Sequence, residues 1–469
     1  MIYQGRYREL SYHNQSALVI GAGISGFAAA KYLAAQGARV VLSDAKDETD
    51  AERDPLTQQH IEDLRAQGIT CVFGAQREEL LGGVDLLVLS PAVPERIPLV
   101  QAARARGIRV TTEVELAGEI AHAPIYAVTG TNGKTTTTTL LGELLRAHFP
   151  AVGIGGNIGV PLIDVAQEIP ADGAIAAEIS SYQMEATTHF HAHIVAELNV
   201  TPDHIVRHGS MEVYQAMKEK LFAAQTADDF LVLNYDNPHT RGMAERAKGK
   251  VCFFSRREEL TEGATVRADG MIVIRWDGEE HVLISARELG IPGGHNVENA
   301  LAAAAVAFFA GVTPAEMRPV LRAFKGVEHR IEFVRTLDGV SYYNDSKATN
   351  TDSAIKALEA FDGHMILIAG GDDKLTDLTE FMELVHARVD ELILVGDAAE
   401  RFSAAALDAG IAPEHIHRAG YLMEKAVQTA RELAAPPQTV LLSPACASFD
   451  MYGGYEERGR DFKRIVNEL

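Results

Sequence analysis

Ile125-Tyr126-Ala127-Val128-Thr129-Gly130-Thr131-Asn132-Gly133-Lys134-Thr135-Thr136-Thr137-Thr138-Thr139 decides how the chain is read. An apolar, β-prone run stops at glycine, and Leu140, Leu141, Leu144 and Leu145 then recur at helical spacing. That is a strand, a glycine-rich turn and a helix N-terminus. Backbone N–H groups of such a turn point inward and the helix dipole adds positive potential, so the pocket suits phosphate. Gly130, Thr131, Asn132, Gly133, Lys134, Thr135 and Thr136 form the expected cradle, with Lys134 reaching the β/γ-phosphates and the Thr135 hydroxyl holding Mg2+. The spacing departs from the general phosphate-loop pattern, whose first glycine would fall at Val128. A surface turn that merely precedes Lys-Thr is the plainer alternative, but the flanking strand and helix favour an ATP site.

Working outward, 469 residues accommodate about three domains, and 47% hydrophobic content supplies real cores. The apolar run 301–310 is too short to span a bilayer. Tyr3, Gln4, Arg6, Arg8 and Glu9 interrupt any leader-like core, so a soluble, cytoplasmic protein is expected. Cys71, Cys252 and Cys446 suggest neither a disulfide framework nor a metal knuckle. A net charge of −22 argues against a nucleic-acid partner. Such an acidic chain must also concentrate its cations wherever it binds anions.

Residues 17–44 read as a βαβ start, with Gly21, Gly23, Ser25 and Gly26 after the first strand and Asp44 ending the second. On its own this points to NAD or FAD and hence an oxidoreductase; its physical content is a diphosphate site with Asp44 near a ribose, which UDP satisfies equally. A strand over 84–90 leads to the loop Pro91-Ala92-Val93-Pro94, at a carboxyl end where ligands of open sheets sit. The first domain is expected to span 1–112.

The second, 113–326, should carry strands ending near the phosphate loop. Glu178, Asp203 and His204 fall at or just past such ends, so Thr135, Glu178 and His204 are expected to converge on Mg2+. Asn157 follows another strand, within hydrogen-bonding reach of a substrate. His189, His191 and His193 alternate as a zinc site would, but no acid or cysteine completes the set. Lys218 lies in a helical segment after His204; because Mg2+ would repel its ammonium, it either faces solvent or has its charge reversed by carbamylation, and residue types alone favour solvent. Asn296 and Asn299 open an apolar helix, one of them as a cap. From 327 to 469 the strand-then-loop scheme repeats, with Lys347 and Lys374 as local cations. Tyr455, Glu456, Arg458 and Arg460 lead into a last helix as packing and solvated face.

Together these segments resemble the Mur ligases, ATP-dependent amide-forming enzymes of peptidoglycan synthesis. The likeness covers nearly the whole chain. Thr129–Thr135 is similar to the family's shortened phosphate loop; 178–185, 198–204, 294–299 and His329-Arg330 are similar to its other signatures. Asp345-Ser346-Lys347-Ala348-Thr349-Asn350 with Ser443–Ser448 resembles the D-glutamate-adding branch rather than other amide ligases of the family.

The resemblance implies three α/β domains: an N-terminal Rossmann-like sheet for the UDP substrate, a central P-loop-type ATPase sheet, and a C-terminal Rossmann-like domain for the amino acid. The implied substrates are ATP, UDP-N-acetylmuramoyl-L-alanine and D-glutamate, with Mg2+, in a monomeric enzyme. It assigns Gly23, Ser25 and Asp44 to the uridine nucleotide, displacing the nicotinamide reading. It reverses the solvent reading of Lys218, making it a carbamylated Mg2+ ligand beside Thr135, Glu178 and His204, with Lys220 as a rival. It also implies glutamate contacts from Lys347, Thr349, Lys374, Ser448 and Tyr455. Asn157 and His204 are implied to lie by the nucleotide sugar, and Asn296, Asn299, Arg330 and Asp345 on the ATP side. A non-catalytic nucleotide-binding regulator would keep the glycine loops without needing Glu178, His204 and Lys218 together.

Overall fold

The computed structural model describes residues 12–47, 55–202, 205–291, 293–361, 363–373 and 375–469. His204, its neighbour Asp203 and Lys374 therefore lie outside the described residues. The chain divides into two compact units, one up to Phe324 and one from Lys325 to Leu469.

The first unit holds two sheets. Five parallel strands pair in the spatial order Thr70–Phe73, Arg39–Asp44, Ser16–Ile20, Leu86–Leu89, Arg109–Thr112. The order reverses between Ser16–Ile20 and Leu86–Leu89, which opens a crevice at their carboxyl ends. Gly26 shows why the helix after the first strand starts where it does: a Cβ there would stand 1.9 Å from the Gly21 carbonyl oxygen, so only glycine lets helix and strand approach this closely.

The second sheet has nine strands. Its parallel part runs Gly263–Val266, Lys250–Ser255, Phe230–Asn234, Ile194–Glu197, Ile125–Thr129, Ala174–Glu178, Val152–Gly156. A strand–helix–strand unit falls within 226–255, and an antiparallel piece follows as Gly263–Val266, Met271–Trp276 and Glu279–Ser285. The central parallel strands are buried on both faces, which explains why they read as unbroken apolar runs. One core lies on each side of the sheet.

The second unit is a six-stranded sheet, Glu332–Leu337, Val340–Asn344, Thr439–Leu442, Met365–Gly370, Val389–Val395, Ile416–Gly420, with only the first hairpin antiparallel. Its two faces also carry separate cores. Among the described residues no helix is long and apolar enough to cross a membrane.

Glu113 helps join the two sheets of the first unit. It starts helix Glu113–Ile120, directly after the last strand of the five-stranded sheet, and its Oε1 accepts the Ile163 N–H at 2.7 Å. Burial raises its pKa to about 7. The folded state therefore holds a proton that the unfolded chain releases near 4.5, and stability falls as pH rises through that window. Glu113→Gln keeps an acceptor and removes the proton. We expect it to be more stable than the wild type at pH 8, by on the order of 2 kcal/mol, and no more stable at pH 5. Denaturation midpoints at the two pH values check this; an equal difference at both would contradict it.

Candidate active site

The strand Ile125–Thr129 is wholly buried and delivers the phosphate loop to the carboxyl edge of the central sheet. Gly130 and Gly133 have φ of +150° and +85°, and a Cβ on Gly133 would meet Asn299 Oδ1 at 2.3 Å. Backbone conformation and space both demand glycine. The neighbouring strand's exit holds the loop open: Thr131 N–H donates to Asn199 O at 2.8 Å and Asn132 N–H to Asn199 Oδ1 at 2.8 Å. Lys134 Nζ folds back over the loop, donating to Gly130 O at 3.0 Å and Thr131 O at 2.9 Å. Thr135 is buried in the first turn of helix Lys134–Arg146, and Thr136 is half-buried beside it.

Neither Asn296 nor Asn299 caps its helix, contrary to the expectation for one of them. The helix Gly294–Phe309 has Gly293 at its N-cap with no side-chain bond. Asn299 Oδ1 instead accepts Thr137 Oγ1 at 3.2 Å, and its Nδ2 donates to Asn296 Oδ1 at 3.1 Å. The pair is thus directed across to the phosphate-loop helix.

Two glutamates flank the loop strand. Val128 pairs with Glu178 on one side and Thr129 with Glu197 on the other. Glu178 is buried; its Oε1 accepts Asn157 Nδ2 at 2.8 Å, while Oε2 is buried without a hydrogen-bond partner among the described residues. Glu197 is fully buried, and among the described residues neither of its carboxylate oxygens has a hydrogen-bond partner. Burial pushes its pKa well up, against the opposing charges of Lys218 and Lys134. Sequence reading passed over Glu197; the available signal was an acid closing an otherwise apolar strand.

Lys218 is 2% exposed, which corrects the solvent reading drawn from residue type. Helix Met211–Ala223 lays it against the sheet, with Nζ 3.4 Å from Thr129 Oγ1 and 4.8 Å from the Tyr214 ring centroid. Lys220 instead donates to the carbonyls of Met184 and Glu185 at 3.1 and 2.5 Å. The zinc reading of the alternating histidines also fails. An acid does complete that set, Asp229 from a distant turn, but both its oxygens are engaged directly, by His191 Nε2 and His193 Nδ1 at 2.9 Å each.

Orphaned, buried carboxylate oxygens beside a threonine hydroxyl are hard donors of the kind Mg2+ takes, and that ion keeps waters and substrate oxygens rather than a full protein cage. Among the described residues no three His, Cys, Asp or Glu side chains form such a cage.

At the five-stranded sheet, Gly23 and Ser25 open helix Ile24–Ala35 at the crevice, and a Cβ on Gly23 would meet nothing within 4 Å. Asp44 accepts the N–H groups of Ala22 and Lys46 at 2.8 and 2.9 Å, so its carboxylate braces the glycine turn.

In the second unit, Asp345 accepts Ser443 Oγ at 2.8 Å and the Ile331 N–H at 3.1 Å; burial raises its pKa to about 7, against its hydrogen bonds and the charge of exposed Arg330. Lys347 Nζ lies 5.9 Å from the Tyr455 ring centroid, Thr349 is half-buried and Ser448 is buried. Arg458 corrects the solvated-face expectation: it is 1% exposed and donates to Ser346 Oγ and to the carbonyls of Ser346, Cys446 and Ala447 at 2.8–3.1 Å. One guanidinium thus ties the 345–350 loop to the 443–448 loop.

The Gly133 geometry makes a direct prediction. Gly133→Ala should lower affinity for a non-hydrolysable ATP analogue at least about tenfold by calorimetry, since strain and the clash with Asn299 distort the cradle. Unchanged affinity would contradict a phosphate-binding role for this loop.

Family models match along the chain: a Mur ligase MurD-like N-terminal domain over 15–112, a Mur ligase middle domain over 128–307 and a Mur ligase glutamate ligase domain over 329–446. The UDP-N-acetylmuramoylalanine–D-glutamate ligase of Thermoanaerobacter sp. (strain X514) is 44% identical, with 97% of this chain and 98% of the relative covered. The protein of that name from Pelotomaculum thermopropionicum is 46% identical over the same shares. The solved structure of UDP-N-acetylmuramate–alanine ligase from Thermotoga maritima shares the fold, with TM-score 0.52 at 18% identity, covering 97% of this chain and all of that one. The oxidoreductase alternative suggested by Gly21–Gly26 finds no support among these relatives. The chain belongs to the Mur ligase family of ATP-dependent C–N ligases.

Proposed function

We propose that this chain joins D-glutamate to UDP-N-acetylmuramoyl-L-alanine, with ATP converted to ADP and phosphate, as a monomer in the cytoplasm. The observation that carries this reading is the phosphate loop flanked by two buried glutamates with orphaned oxygens, above a buried lysine. The names of relatives alike over nearly the full length supply the substrates. The functional division proposed is 1–112 for the uridine nucleotide, 113–326 for ATP and 327–469 for the amino acid.

The alanine carboxylate of the muramoyl nucleotide attacks the γ-phosphorus, and the bond to the ADP oxygen breaks. The glutamate amine, once neutral, adds to the resulting acyl phosphate, and the tetrahedral intermediate expels phosphate. Positioning and charge neutralisation do most of this work. Lys134 and the N–H groups of 130–136 hold the phosphates. Thr135, Glu178, His204 and a Lys218 carbamate are the proposed Mg2+ ligands; bound there, the ion would neutralise charge growing on the phosphoryl oxygens. Gly23, Ser25 and Asp44 serve the uridine diphosphate, and Asn157 and His204 the sugar. Asn296, Asn299, Arg330 and Asp345 complete the ATP contacts. Lys347, Thr349, Lys374, Ser448 and Tyr455 receive glutamate, with Arg458 locking two of their loops.

Phosphate release should require both UDP-N-acetylmuramoyl-L-alanine and D-glutamate, and L-glutamate should not replace the D form. Release independent of either acceptor would contradict the assignment, and binding without turnover would favour a regulator. Lys218→Ala should lose at least about a hundredfold in turnover and regain part of it with added acetate or formate. Neither loss nor rescue would refute the carbamate.

A further inference from the structure

The loop following strand Leu86–Leu89 forms one wall of the crevice in the five-stranded sheet, yet a residue of the central sheet's connections holds it. Arg207 donates from Nη2 to Pro91 O at 3.2 Å and from Nη1 to Ala92 O at 3.1 Å. The same guanidinium grips Glu185 in a fork, with Nε to Oε1 at 2.6 Å and Nη2 to Oε2 at 2.9 Å. Glu185 Oε2 also accepts the Glu95 N–H at 3.3 Å, and Arg96 Nη1 donates back to Arg207 O at 2.9 Å. Both partners of the fork have side chains 14% exposed, so this is no solvated surface pair.

The contacts continue toward the phosphate loop. His208, next to Arg207, lies between the rings of Tyr182 and Tyr214, 5.5 Å from each centroid, with Nε2 3.0 Å from Ser181 Oγ. Tyr214 Oη is 3.1 Å from Thr131 Oγ1, inside the phosphate cradle. Packed, hydrogen-bonded side chains thus connect the Pro91–Ala92 carbonyls to Thr131.

We propose that Arg207 and Glu185 are positioning residues that couple the uridine-nucleotide crevice to the phosphate loop, so that filling one site strengthens binding at the other. This rests on the proposed reading that the muramoyl nucleotide occupies the crevice. Such coupling is reciprocal, and typical values start near fivefold in affinity.

Calorimetry on the full-length protein tests it, with UDP-N-acetylmuramoyl-L-alanine titrated in the absence and presence of a non-hydrolysable ATP analogue and Mg2+. The wild type should bind the muramoyl nucleotide at least about fivefold more tightly with the analogue present. Arg207→Lys keeps a charge for Glu185 without the fork that reaches two carbonyls. It should reduce that ratio to within about twofold while changing affinity for the analogue alone by less than about twofold. Glu185→Gln, nearly isosteric, should act in the same direction. A purely structural role would lower melting temperature or both affinities and leave the ratio intact. A wild type without coupling, or variants retaining the wild-type ratio, would overturn the inference. A wild type that failed to bind the muramoyl nucleotide at all would instead overturn the functional reading.

Discussion

A buried carboxylate oxygen without a hydrogen-bond partner is among the costlier features a fold can carry, and among the described residues this chain leaves one on Glu178 and two on Glu197, on either side of one strand. Glu178 and Glu197 sit where a parallel sheet delivers its strand ends, next to the glycine turn proposed to receive phosphate. Desolvation of such groups costs several kcal/mol unless charge or hydrogen bonding compensates. Lys134 and Lys218 supply part of that compensation from the loop and from the covering helix. The remaining oxygens fit a hard cation and the oxygens it brings. The rest of the first unit is arranged around keeping this edge rigid: Asn199 holds the loop, Asn157 holds Glu178, and Asn299 closes the far side.

The second unit solves a related problem with the opposite sign. Arg458 is a buried guanidinium whose hydrogen-bond acceptors are three carbonyls and a hydroxyl. Five donors in a planar fork suit one side chain to fastening two loops at once, which a lysine could not do. The loops it fastens carry Lys347 and Ser448. In a chain of net charge −22, a cation held this firmly serves local geometry, whereas exposed Arg464 answers Asp461 and Glu468.

Much of this was readable beforehand where a residue type has few other uses. Glycines at 130 and 133 before Lys-Thr, and Glu178 closing an apolar strand, announced the strand–turn–helix at a sheet edge that the structure shows. The misreadings share one physical cause: burial is conferred by distant segments. Lys218 has the look of a solvent-facing helix lysine until helix Met211–Ala223 is laid on the sheet. Glu197 passed as an ordinary strand residue. Arg458 sits in a run of charges that reads as a wet helix face, because only the fold shows it turning back into two loops. His191 and His193 lacked their acid because Asp229 lies 38 and 36 residues away.

The central claim is that this edge makes a carboxylate reactive by transferring phosphoryl to it. The most direct measurement uses UDP-N-acetylmuramoyl-L-alanine labelled with 18O in the alanine carboxylate and follows the label into released phosphate. Activation through an acyl phosphate predicts that each phosphate carries one carboxylate oxygen. Phosphate free of the label during amide formation would contradict the account.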